Sequence, residues 1–121
     1  MKILVVDDDA ELLDEVGASL RRLGHATVAA GGATEACAAL ENNGTFDLVL
    51  TDLRMPAGTG LEVLRTCIRK TSPRPAVLVM TGDAGAAEID DAIGLGADVL
   101  LPKPFTRHQL SDAISLAMCT R

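Results

Sequence analysis

A chain of 121 residues and 12.6 kDa makes one domain, large enough to bury a core without a metal or disulfide staple. Hydrophobic residues make up 48% and charged residues 23%, which excludes a disordered chain. Seventeen acids against eleven Lys and Arg leave −6, there is no basic run, and Phe46 and Phe105 are the only aromatics, so nucleic-acid binding is not expected.

The first apolar run, Ile3-Leu4-Val5-Val6, reads as a strand and ends at Asp7-Asp8-Asp9. Asp9 reads as the N-cap of a first helix. That helix carries Leu12, Leu13, Val16, Leu20 and Leu23 at helical spacing, and Gly24 stops it. Thr27-Val28-Ala29 is a weak second strand, and Ala36, Cys37 and Leu40 mark a small second helix. Leu48-Val49-Leu50 is the third strand, running into Thr51-Asp52. Leu61, Leu64 and Ile68 mark a third helix, opened by the capping-box pattern Thr59-Gly60-Leu61-Glu62. Ala76 to Met80 is the fourth strand, running into Thr81-Gly82-Asp83. The fourth helix, about Gly85 to Leu95, contains two glycines and few large apolar anchors, so it is expected to be the least rigid. Val99-Leu100-Leu101 is the fifth strand, followed by Pro102-Lys103-Pro104. Thr106 to Gln109 caps a fifth helix with Leu110, Ala113, Ile114 and Ala117 inward.

The apolar runs are continuous rather than alternating, as in strands buried on both faces. Five βα units in sequence imply an α/β fold with helices on both faces of a five-stranded parallel sheet. Right-handed crossovers favour the flavodoxin-like (βα)5 sandwich of strand order 2-1-3-4-5. The expectation is a single domain over residues 1–121.

In such a sheet the functional crevice lies beyond the carboxyl ends of the strands. Asp7 and Asp8, Asp52, Thr81 and Lys103 all fall at those ends. Asp7, Asp8 and Asp52 bring three negative charges. Two like charges 4 Å apart cost about 4 kcal/mol at an effective dielectric of 20. Lys103 offsets one, and a divalent cation with oxygen ligands would offset the rest, in the manner usual for Mg2+. Cys37, Cys67 and Cys119 form no ligand cluster or C-x-x-C pair and read as buried or half-buried thiols of a reducing compartment. With no long apolar run and no signal peptide, a cytoplasmic protein is expected.

The chain resembles the receiver domain of two-component response regulators along its whole length. The likeness rests on Leu4 to Asp9, on Leu50-Thr51-Asp52-Leu53-Arg54-Met55-Pro56 with Gly60, on Val79-Met80-Thr81-Gly82, and on Gly96-Ala97-Asp98 leading to Lys103-Pro104-Phe105. The resemblance implies that Asp52 is the phospho-acceptor and that Mg2+ is the cofactor. Asp8, Asp52 and the backbone carbonyl of Arg54 would bind the metal directly, and Asp7 largely through water. Thr81 would bind a phosphoryl oxygen, and Lys103 would pair with the carboxylate or phosphoryl group. The Lys103–Pro104 bond is expected to be cis. A sensor histidine kinase or a histidine phosphotransfer protein would donate the phosphoryl group. A downstream partner would dock on the face of the fourth helix, fifth strand and fifth helix, where Leu116 falls off the inner stripe.

One departure stands out. The family often has an aromatic residue three before the lysine, and Leu100 stands there. A different or weaker conformational output is therefore expected. Arg54 and Asp83, two positions after the acceptor and two after the switch threonine, are expected to pair over the site and hinder attacking water. His25 and His108 read as surface residues rather than phospho-carriers. Two other functions are weighed. A Mg2+-dependent phosphatase with an aspartyl-phosphate intermediate would use Asp7-Asp8-Asp9 as an Asp-x-Asp start, but no cap region follows. A flavin carrier of the same fold would need a phosphate-cradling loop where three aspartates stand. No output domain is expected within the 121 residues.

Overall fold

The computed structural model describes residues 1–42, 45–55, 58–69, 74–82 and 85–119. Five strands form one parallel sheet: β1 (Lys2–Val6), β2 (Ala26–Ala30), β3 (Leu48–Asp52), β4 (Ala76–Thr81) and β5 (Val99–Pro102). Their spatial order is 2-1-3-4-5, as expected. In register, Val6 lies opposite Ala30 and Thr51, Asp52 opposite Met80, and Thr81 opposite Pro102. A short antiparallel ribbon, Arg54–Met55 against Gly58–Thr59, follows β3 and was not anticipated from the sequence. The helices are α1 (Ala10–Arg22), α2 (Ala33–Asn42), α3 (Gly60–Arg69), α4 (Ala86–Leu95) and α5 (Arg107–Cys119).

Alternation along the strands divides the core between two faces. Ile3, Val5, Leu48, Leu50, Leu78, Met80 and Leu101 face α1 and α5, where Val16, Leu20, Leu110 and Ile114 cover them. Leu4, Val6, Val49, Val77 and Val79 face α2, α3 and α4, covered by Ala36, Leu40, Val63, Leu64, Cys67 and Ala92. β1, β3, β4 and β5 thus have apolar side chains packed on both sides, which is why their runs read as unbroken in the sequence, whereas edge strand β2 packs Val28 and Ala30 on one side.

The helix ends follow local chemistry. Asp9 caps α1, its Oδ1 accepting the N–H groups of Glu11 (3.0 Å) and Leu12 (3.3 Å). Thr106 and Gln109 form the reciprocal box at α5: Thr106 N–H donates to Gln109 Oε1 (2.8 Å), and Gln109 N–H to Thr106 Oγ1 (3.1 Å). Gly96 ends α4 in the left-handed region, φ 103°, and Ala97 N–H returns to Ala92 carbonyl. Asp98 then pins β5 to β4, accepting Val77 N–H at 2.8 Å, with Arg74 3.6 Å away.

Some packing expectations fail. Leu23 is 63% exposed, because it sits in the cap turn beyond the last helical residue of α1 and leaves the stripe. Ile68 is also exposed. The buried face of α3 is Val63, Leu64 and Cys67, one step round from the expected stripe. Cys119 is exposed at the end of α5, unlike half-buried Cys37 and buried Cys67. Phe46, in the segment before β3, is fully buried although the sequence singled out no core role for it. Among the described residues no helix is long and apolar enough to cross a membrane.

Candidate functional site: an acidic pocket at the strand ends

The carboxyl ends of β1, β3 and β5 deliver side chains to one cavity of about 480 Å3, lined by Asp7, Asp8, Asp9, Asp52, Arg54, Met55, Gly82 and Lys103. Strand alternation explains the convergence. Asp7 continues the row of Ile3 and Val5, Asp52 that of Leu48 and Leu50, and Lys103 that of Val99 and Leu101. All three rows lie on the α1/α5 face.

Asp7, Asp8 and Asp52 each bring a carboxylate oxygen to within 4.8 Å of the other two. Asp7 is fully buried; its Oδ1 accepts Asp9 N–H at 2.9 Å and its Oδ2 meets Lys103 Nζ at 2.6 Å. Lys103 Nζ also reaches Asp52 Oδ2 at 3.2 Å. Asp8 is exposed at the rim. The Lys103–Pro104 peptide bond is cis, as expected.

Burial raises the Asp52 carboxyl above the ordinary value of 3.8, and the Asp7 charge adds to the rise. Lys103 and the Arg54 backbone N–H pull the other way without cancelling it. Lys103 is the closer to Asp7, so Asp52 receives only part of its charge. For Lys103 itself burial opposes the charged form. The hydrogen bond to Asp7 and the charges of Asp52 and Asp7 outweigh this and hold its pKa above 10.5.

Three carboxylates and one ammonium leave two uncompensated negative charges if all are ionised. An all-oxygen donor set with that deficit fits a hard divalent cation. Neither a soft-metal thiolate set nor an imidazole is present among the residues lining the cavity.

Thr81 sits elsewhere than its companions. It ends β4 in the row of Val77 and Val79, which faces the other side of the sheet, and it is Gly82 that lines the cavity. The Thr81 carbonyl accepts Lys103 N–H at 2.7 Å, so its backbone abuts the site. Leu100 lies in the same row as Thr81 and packs, half-buried, against the core under α4 with Ile89 and Leu95. Asp83 lies outside the described residues. The Arg54 Nε lies 4.0 Å from Oε1 of Glu88 in α4. His25, half-buried, has its Nδ1 3.0 Å from the Met1 amino group, and exposed His108 pairs with Asp112 at 3.4 Å; neither lines the cavity.

Two features of the site are not legible from sequence patterns alone. Glu88 shows there only as an acid in the first turn of α4. Gly60 shows only as part of a motif. A Cβ there would lie 2.3 Å from the Asp52 carbonyl oxygen and 2.8 Å from Leu53 Cα. Only glycine lets α3 start this close to the backbone that carries Asp52, and Gly60 N–H donates to the Leu53 carbonyl at 2.9 Å.

Residues 3–115 match the family described as the response regulator receiver domain. The chain belongs to that family. A CpxR homolog of Haemophilus influenzae, a transcriptional regulatory protein, is 40% identical over 90% of this chain and 46% of its own length. The sensory transduction protein RegX3 of Mycolicibacterium smegmatis is 34% identical over 89% of this chain and 46% of its own. The receiver domain therefore spans less than half the length of these curated relatives. Among solved structures, a CheY-like receiver protein from Methanospirillum hungatei superposes with a TM-score of 0.89 at 30% identity, covering 98% of this chain and 94% of that one. A receiver domain protein from Clostridium thermocellum gives 0.84 at 35% identity, with coverage of 98% and 94%. The chain is thus a receiver domain of the two-component type, a class of phospho-switches, and the phosphatase reading is not favoured.

Proposed function

We propose that this receiver domain accepts a phosphoryl group on Asp52 and changes its partner interactions as a result. The observation that carries the reading is the placing of Asp52, with two further carboxylates within 4.8 Å and an ammonium at 3.2 Å. The donor is the phosphohistidine of a sensor histidine kinase or of a histidine phosphotransfer protein. An Asp52 carboxylate oxygen forms a bond to phosphorus as the phosphorus–nitrogen bond breaks, and the electron pair returns to the imidazole, which takes up a proton.

Both reacting partners are anionic, so charge compensation and in-line positioning dominate such a transfer. Asp8, Asp52 and the Arg54 backbone carbonyl would hold Mg2+, with Asp7 acting through water. The ion would supply positive charge against the phosphoryl oxygens. Lys103, held by Asp7, presents its ammonium to Asp52 and to the incoming oxygens. Gly82 has no side chain to fill the mouth on the β4 side. The Thr81 hydroxyl binds a phosphoryl oxygen after Thr81 turns from its present row. The domain acts in the cytoplasm, and the α4–β5–α5 face, with exposed Ile93 and Leu116, serves a downstream partner.

The test is incubation with acetyl phosphate and Mg2+ followed by intact mass. Wild type is expected to gain one phosphoryl group and Asp52→Asn none. A gain that survives Asp52→Asn would remove the assignment.

A further inference from the structure

One ion pair leads away from the pocket mouth. Arg54 lines the cavity, and its backbone N–H is bonded to the Asp52 carboxylate. Its Nε lies 4.0 Å from Oε1 of Glu88, in the first turn of α4. The same Oε1 accepts the N–H of Gly85, the N-cap residue of α4, at 3.3 Å. A single carboxylate oxygen therefore joins the residue two places after Asp52 to the start of the helix.

The helix is suited to respond. Glu88, Asp90 and Asp91 give α4 three acids, and it carries no basic residue of its own. Ala92 is its one fully buried residue, so little apolar packing holds it. Beneath it Leu100 is aliphatic and half-buried, which leaves no large ring to move between two positions.

We infer that the Arg54–Glu88 pair is the electrostatic link through which the charge on Asp52 is read at α4. The inference rests on Asp52 being the phospho-acceptor. Phosphorylation turns a monoanion into a group with about two negative charges and three strong acceptor oxygens. A guanidinium takes two such oxygens at once in planar geometry. The competing pair is weak by construction, since its side chains are 61% and 31% exposed. Arg54 therefore turns to the phosphoryl group, and Glu88 keeps Gly85 N–H but loses its cation. The first turn of α4 thereby loses its tie to the pocket mouth and loosens. In the resting state the pair works in reverse, holding Arg54 away from an incoming anionic donor.

Glu88→Gln separates the two functions of this side chain, because it keeps an acceptor for Gly85 N–H and removes the charge. With acetyl phosphate and Mg2+, the variant is expected to gain phosphoryl groups about two- to fivefold faster than wild type, the range an exposed ion pair commands. In the Arg54→Ala background the same substitution should leave the rate unchanged. Amide hydrogen exchange around Ile89 should quicken on phosphorylation of wild type and already be quick in unphosphorylated Glu88→Gln. An unchanged rate in Glu88→Gln, or an equal gain without Arg54, overturns the link while leaving the acceptor assignment standing. Failure of wild type to gain a phosphoryl group overturns both.

Discussion

Asp7, Asp8 and Asp9 are consecutive and chemically alike, yet the backbone gives each a different task. Asp9 satisfies the orphan N–H groups of α1. Asp7 points inward to Lys103 and is wholly shielded, while Asp8 stays at the rim and completes the oxygen cluster. Asp52 is the strained member. Its pKa is raised, so the folded state holds the proton more tightly than the unfolded chain does. The stabilisation from that proton is complete below about pH 3.8, the ordinary value, and is lost as pH rises through the raised one. Ionised Asp52 is thus a liability at neutral pH without metal. In metal-free buffer Asp52→Asn should melt above wild type at pH 7, and the gap should close toward pH 4. A gap that widens on acidification would contradict the direction of this shift. Lys103 titrates in a separate window, its contribution being lost only as pH rises through a value above 10.5.

Helices and strands were legible where burial repeats at a fixed period. The apolar runs gave all five strands of the sheet, and cap residues such as Asp9 and Thr106 marked helix starts within a residue. Contacts between elements were not legible in the same way. The sequence put Ile68 on the inner stripe of α3, but the helix is rotated so that Val63, Leu64 and Cys67 go inward. The ribbon of Arg54–Met55 and Gly58–Thr59 has two residues per strand, too few for any periodicity to register. Gly60 ties this ribbon, β3 and α3 together, and its importance emerges only when the Asp52 carbonyl is seen beside it. Gly60→Ala must displace backbone, which yields less readily than a flexible side chain. It is expected to lose about 1–3 kcal/mol of stability, the range of other overpacked sites, measured as a fall in urea midpoint. If Asp52 is the acceptor, as proposed, its rate of phosphorylation should fall with it, since the displaced backbone carries Asp52. A variant as stable and as reactive as wild type would show that α3 can back away freely.

For the molecule as a whole, the pocket is a product of topology. Residues 7, 52 and 103 meet because parallel strands end at the same edge, and three of them carry their charged residue in the same alternation row. This much can be deduced from sequence once five βα units are recognised. The Arg54–Glu88 pair cannot, because it depends on where α4 lies relative to the ribbon. Gathering like charges on one edge makes stability sensitive to cations. An ion that binds the folded cluster better than the unfolded chain shifts folding by mass action. Mg2+ at millimolar levels should therefore raise the thermal midpoint of wild type by a few degrees, about 4 °C for each kcal/mol in a domain of this size. Asp8→Asn should blunt the rise, and an undiminished rise in that variant would place the ion elsewhere. The hydrogen bond from Lys103 N–H to the Thr81 carbonyl, at 2.7 Å, yokes two strand termini that belong to different βα units. A displacement of either strand end must therefore stretch or break this rung.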